Sequence, residues 1–250
     1  MQHLYWKQII SLCLFFCIAE QSQAQNNTMN QQDHDYETYW FGMSYGYAFS
    51  YNDYKRGSAF LPGKPTIGEV TSIYYNTNPI IQLGLSGTLR LKKKLLIRTN
   101  PTVFIGSKDI NKFTILKTSG EKQDYIVTPS TVLHIPVALK LESDRYNFMN
   151  QTSLMRHYVI GGVKLDYDFS NGAINYGSSI NTASPNIYKS TNLGYELGFG
   201  LSFFLKYATI SPEFKYSKGL SDMRNSGTNF FNSLDKMHSD FFSFTIHLEN

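Results

Sequence analysis

Cysteine is almost missing from this chain. Of 250 residues only Cys13 and Cys17 carry a thiol, and both fall in a segment that reads as a cleaved leader. The mature chain therefore has no disulfide and no cysteine metal site. Long apolar runs are missing too. The longest, Ile9 to Ala19, covers about 11 residues, against the roughly 20 a membrane-crossing helix needs. An excess of one charge is also lacking: the net charge of +4 is mild, and its scatter along the chain leaves no basic face for nucleic acid. No G-x-S-x-G, no histidine pair at metal-ligand spacing and no glycine-rich phosphate loop occurs. Gly161-Gly162-Val163-Lys164 reads as a glycine pair in a strand. These absences weigh against a disulfide scaffold, a helical membrane protein, a nucleic-acid binder and the common hydrolase and nucleotide sites, and no cofactor is expected.

What is present begins with the leader. Lys7 supplies a charged start, Ile9 to Ala19 the apolar core, and Ser22-Gln23-Ala24 a small-x-small cleavage site, which predicts a secretory signal peptide over residues 1–24. Residues 25–39 form a polar tail with no apolar periodicity and little expected structure. From residue 40 to 250 the chain reads as one domain built on alternation. Near its end Phe242, Phe244, Ile246 and Leu248 alternate with Ser243, Thr245, His247 and Glu249, the period-two pattern of a strand with two unlike faces.

Eight such stretches are predicted: Trp40–Tyr51, Ile80–Leu91, Leu95–Gly106, Thr131–Leu141, His157–Phe169, Leu193–Leu205, Thr209–Lys218 and Phe241–Glu249. Each has about the 9 to 11 residues of a tilted bilayer-crossing strand, or slightly more. One face is oily throughout, with Leu83, Leu85, Leu197, Phe199, Leu201, Phe203, Phe214, Phe242, Phe244 and Ile246 expected to face lipid. The other carries glycines and charges of both signs. A soluble sandwich has the same period. Nearly unbroken oily faces over eight strands, a polar opposite face and aromatic residues at strand ends (Trp40, Tyr51, Tyr158, Tyr207, Tyr216) favour an eight-stranded antiparallel up-and-down transmembrane β-barrel. Connections one, three, five and seven are long and polar, whereas Lys92–Lys94 and Lys206–Ala208 are tight. That alternation predicts short turns and both termini on the periplasmic side of an outer membrane.

Inside so small a barrel side chains fill the space. The parity puts Arg90, Arg98, Lys140, Lys164, Asp166, Asp168, Glu196, Glu213 and Lys215 there, with Lys92, Glu142, Lys206, His247 and Glu249. Opposite charges confined together are expected to pair into a structural plug. Catalysis would need a nucleophile beside His134, His157 or His247, and no motif supplies one, so an enzyme is not expected.

Four segments carry a family resemblance: Gly84–Gly106 (GLSGTLRLKKKLLIRTNPTVFIG), Leu139–Asp168 (with SDR, then YVIGGVKLDYD), Tyr195–Leu220 (with SPEFKYSKGL) and Asn232–Glu249 (NSLDKMHSDFFSFTIHLE). In this order and over most of the mature chain, they resemble the PorT family of Bacteroidetes outer-membrane proteins, accessory components of type IX secretion and gliding motility. The resemblance implies an outer-membrane barrel needed to export proteins with C-terminal sorting domains, with neighbouring secretion subunits as partners. It carries no active-site residues with it. Many such barrels end on an aromatic residue, whereas this chain ends Leu248-Glu249-Asn250 with the preceding alternation intact.

Overall fold

The computed structural model describes residues 30–56, 70–76, 79–106, 110–116, 122–127, 131–147, 154–169, 174–176, 189–223 and 234–250. The leader assigned to residues 1–24 lies outside them. Fourteen strands follow a 3₁₀ turn at Gln32–Asp35: β1 (Tyr39–Arg56), β2 (Val70–Asn76), β3 (Pro79–Lys92), β4 (Leu95–Thr99), β5 (Thr102–Ile105), β6 (Ile110–Leu116), β7 (Lys122–Val127), β8 (Val132–Glu142), β9 (Tyr146–Asn147), β10 (Leu154–Asp168), β11 (Ile174–Tyr176), β12 (Thr191–Phe204), β13 (Thr209–Gly219) and β14 (Leu234–Glu249).

The ring closes because the first and last strands pair. β1 runs antiparallel to β14 from Gly42 opposite Glu249 to Arg56 opposite Leu234, and its other edge pairs with β3. β3 pairs with β4 and β5, both of these with β8, and β8 with β10. β10, β12, β13 and β14 complete the circuit. The architecture is thus an all-β antiparallel ring of eight positions, one of them filled by β4 and β5 in series. Closure satisfies every edge, which a chain in lipid requires.

β4 and β5 replace the single predicted stretch Leu95–Gly106. Pro101 has no N–H to give the ladder, so pairing lapses at Asn100-Pro101. The position is held instead by Leu85 N–H donating to the Pro101 carbonyl at 3.1 Å and the Ser44 hydroxyl to Asn100 Oδ1 at 2.9 Å.

Parity separates the two faces. Leu83, Leu85, Leu197, Phe199, Phe214, Phe242 and Ile246 are exposed on the outer wall, with Leu201, Phe203 and Phe244 part-covered by neighbours on the same face. Two of the aromatics read as strand-end residues lie inside instead, Trp40 at 3% exposure and Tyr158 at 2%. Their even positions in β1 and β10 share the parity of Ser44 and Lys164, and parity overrides the aromatic's usual place at an interface. Inside the crowded ring, glycine is required where strands press together: a Cβ on Gly162 would stand 2.6 Å from that of Ala138, and one on Gly198 2.6 Å from Lys215 Cγ.

Two further features differ from the sequence reading. The long connections, read only as long and polar, contain strands: β2, β6, β7 and β11 pair into a separate sheet in the order β11-β7-β6-β2. Residues 30–39 of the polar tail are ordered, with the 3₁₀ turn docked into the short-turn end of the ring.

Leu197, 57% exposed on the outer wall in mid-β12, tests the assignment of faces. Arginine there, in mid-bilayer, is expected to cost about 2–4 kcal/mol. Ser202→Ala, which removes one inward hydroxyl bonded to Ser211 at 2.9 Å, should cost about 1 kcal/mol. Urea titration of the barrel refolded in liposomes, read by heat-modifiable gel mobility, separates the two.

Candidate functional site

The inward faces of the ring bring ten charged side chains into one packed column. Arg98, Lys140, Arg156, Lys164 and Lys215 are buried there beside Glu142, Asp166, Glu196, Glu213 and Glu249. Charges this deep persist only when paired and hydrogen-bonded.

Nearest the short turns the pairing centres on Arg98 of β4. Its guanidinium donates to Glu213 of β13 at 3.0 Å and to Glu249 of β14 at 2.9 Å, while its Nε reaches the Thr88 hydroxyl at 3.3 Å. The Tyr158 hydroxyl donates to the same Glu213 at 2.9 Å, and Lys140 Nζ lies 4.1 Å from the Tyr158 ring centre. Lys140 pairs with Glu142 at 2.7 Å, and Glu142 also accepts from Arg156. His247 Nε2 lies 3.3 Å from Glu213.

A second group sits nearer the long loops. His134 of β8 places Nδ1 2.6 Å from Asp166 and Nε2 3.2 Å from Glu196. A neutral imidazole has one N–H, so the two bonds together require one more proton, on the ring or on a carboxyl. Lys164 holds the other Asp166 oxygen at 2.8 Å, and Asn192 donates to it at 3.2 Å. Lys215 joins the two groups, 3.5 Å from Glu196 and 3.7 Å from Glu213.

Packed side chains cap the short-turn end of the column and, in part, the long-loop end. Toward the long loops Ala48, Ile80, Phe104, Val132 and Phe241 form an apolar layer, with Phe104 stacked on His134. Toward the short turns the 3₁₀ segment acts as a stopper. Asp35 takes Arg145 at 3.0 Å and Arg156 at 2.8 Å, and Arg145 Nη1 also donates to the Asn30 and Gln31 carbonyls at 3.1 Å. The His34 ring packs edge-on against Trp40 and Phe204, and burial there holds its pKa below the ordinary histidine value.

Of the residues read from sequence as luminal, the structure brings together Arg98, Lys140, Lys164, Asp166, Glu196, Glu213 and Lys215, with Glu142, His247 and Glu249. Arg90 stands apart at the short-turn rim. It donates to the carbonyls of His34, Glu37 and Lys93 at 3.1–3.2 Å and lies over Trp40, so its work is to hold the stopper. Asp168 is half-buried at the long-loop mouth. Lys92 and Lys206 are exposed in the short turns, Lys92 because the β3–β4 register shifts at Arg90/Lys92. Sequence reading missed Arg145, Arg156 and Asp35. Arg156 does alternate with Tyr158 and Lys164, a signal that extending the fifth strand back to residue 154 would have caught.

As chemistry, this arrangement binds itself. Among the described residues no three His, Cys, Asp or Glu side chains are grouped to hold a metal ion. His134 is committed to two carboxylates, His247 lies against Glu213, and His157 is exposed at the short-turn end beside Tyr146.

Comparison with known proteins matches residues 21–225 to the family described as outer membrane protein beta-barrel domain. No curated protein matches the chain. Among solved structures, the outer membrane protein OprG from Pseudomonas aeruginosa is similar, at 14% identity, 90% coverage of this chain, 98% of that one and a TM-score of 0.45. Neisserial surface protein A is similar at 8% identity, 84% and 95% coverage and a TM-score of 0.40. Ail, the attachment invasion locus protein of Yersinia pestis, follows at 10% identity, 86% and 99% coverage and a TM-score of 0.34.

The Arg98 group carries a test. Arg98→Met strands two buried carboxylates and is expected to cost about 3–5 kcal/mol. Adding Glu213→Gln and Glu249→Gln should recover most of that loss, because neutral amides need no counter-charge. Urea titration of the refolded barrels measures both steps.

Proposed function

The chain belongs to the outer membrane protein β-barrel family, and on that premise we propose that it is a non-enzymatic accessory barrel of type IX protein secretion. In this reading it assists the export of proteins bearing C-terminal sorting domains, and gliding motility where cells use it. The PorT-like segments, spread in order over the mature chain, support the secretion role. The filled lumen carries the mechanism: a folded cargo domain is far wider than an eight-stranded barrel, and here that interior is occupied by Arg98, Glu213, Glu249 and their neighbours. The barrel therefore serves export from outside its own lumen, through its rims, its loops or a lateral contact with a larger channel. Its partners are outer-membrane lipid and other membrane subunits of the secretion system, with no nucleic acid and no cofactor. The short turns and both termini face the periplasm.

A second reading is supported by the sheet that β2, β6, β7 and β11 build from the long connections. A stand-alone barrel could present such a sheet to an extracellular ligand or surface. A lipid-modifying enzyme finds less support, since His134 and His247 face luminal carboxylates rather than a nucleophile.

Deletion of the gene separates these readings. Cargo with sorting domains should accumulate in the periplasm while unrelated outer-membrane proteins assemble normally; normal cargo display would remove the secretion role. Orientation is tested in a mature chain with no other thiol. Ser178→Cys should react with a membrane-impermeant maleimide on whole cells and Lys93→Cys only after lysis, and the reverse would invert the barrel.

A further inference from the structure

The outer wall is not uniform around the ring. β8 and β10 present aliphatic residues, Val137, Leu139, Leu141, Val159, Val163 and Leu165, whereas the outward row of β1 is Tyr39, Phe41, Met43, Tyr45, Tyr47, Phe49 and Tyr51. Aromatic residues at the ends of that row suit the interfacial girdles. Tyr45 and Tyr47 do not: Tyr45 stands midway between Tyr39 and Tyr51, where the wall crosses the hydrocarbon. Both are 44% exposed. The rings meet edge-on at 5.7 Å, and the Tyr45 hydroxyl donates to the Tyr47 oxygen at 2.9 Å. That bond leaves the Tyr47 O–H with no acceptor among the described residues, beside a medium whose acyl chains offer none.

We infer that the outer face of β1 is a membrane-embedded interface between two copies of this chain, centred on the Tyr45–Tyr47 hydroxyl pair. A two-fold axis through the pair solves the donor problem without any new residue. Tyr47 donates to the partner subunit's Tyr45 and the partner subunit's Tyr47 donates back. The four hydroxyls then form a closed cycle in which each gives and takes one bond. A lipid contact cannot close that cycle. With about 200 Å² for a whole aromatic side chain, the row exposes roughly 800 Å², near the area each partner contributes to a standard stable interface. Flanking Leu83, Leu85 and Ile246 widen the patch. Association between apolar walls in lipid depends on packing and such hydrogen bonds rather than on the hydrophobic effect, which is why the hydroxyl pair sits at the centre. This inference requires the outer wall to lie in a bilayer and does not depend on the secretion role.

The mature chain's lack of cysteine makes the test direct. Met43→Cys, beside the pair, and Val163→Cys, on the aliphatic wall, are treated with a short bis-maleimide in native outer membranes and after reconstitution of the purified protein. Met43→Cys should give a covalent dimer in both settings and Val163→Cys should give none. Adding Tyr45→Phe and Tyr47→Phe should cut the dimer at least fivefold while heat-modifiable mobility stays that of a folded barrel. Only monomer from Met43→Cys, equal yields from both walls, or capture of a different protein without any dimer in the reconstituted sample would each overturn the inference. Loss of heat-modifiable mobility would instead fault the barrel itself.

Discussion

Arg98 lies between Glu213 and Glu249 at 3.0 and 2.9 Å with 2% of its surface exposed, and the rest of the molecule depends on that exchange of charge. Eight strands enclose only enough space for side chains. An ion placed there has little water to solvate it and must find a partner: Lys140 and Lys164 take Glu142 and Asp166 two residues along their own strands, as Lys215 does Glu213, and the other pairs join separate strands. Those cross-strand partners are distant in sequence, from β4 to β13 and β14 and from β8 to β10 and β12. The luminal pairs therefore fix register as well as neutralising charge, because a slip of one residue would turn every inward carboxylate toward lipid. The outer wall supplies the complement. Its aliphatic and aromatic residues meet the bilayer, and the closed ladder leaves no edge for lipid to desolvate.

Period-two parity was readable along the chain because the two solvents differ so much that few positions blur the pattern. Hence the strand count, the outer row and the main buried ions could be taken from residue order alone. Trp40 and Tyr158 show where a residue-type habit gave way to parity: an aromatic near a strand end was read as interfacial although its neighbours Ser44 and Lys164 pointed inward. The stopper was harder to see. Asp35 and His34 belong to a polar stretch with no periodicity, and their order comes from Arg145, Arg156 and Trp40, residues far along the chain or on the next element. The pairing of β2, β6, β7 and β11 was equally invisible, since strands formed between separate loops leave no local signal of their partners. Arg90 had the correct parity and the wrong depth, because alternation says which way a side chain points and not where the ring ends.

A lumen filled with paired side chains moves whatever this protein does to its surfaces. The 3₁₀ segment seals one mouth, and the layer of Ile80, Phe104, Val132 and Phe241 covers part of the other. What remains for recognition is the short-turn rim, the sheet above the long-loop end and the outer wall, with its aromatic row on β1. In a membrane barrel this divides the work: the interior supplies rigidity through mutual ion pairing, and the exterior is left for contacts.

The central claim is that the barrel's own side chains close its lumen, and electrical recording on the purified full chain in planar bilayers tests it most directly. The account predicts that inserted, folded barrels carry no steady current at moderate voltage, because ions would have to break the Arg98, His134 and Asp35 contacts to pass. Stable unit steps of conductance that scale with salt concentration would contradict it and would mean that a continuous aqueous path runs through the ring.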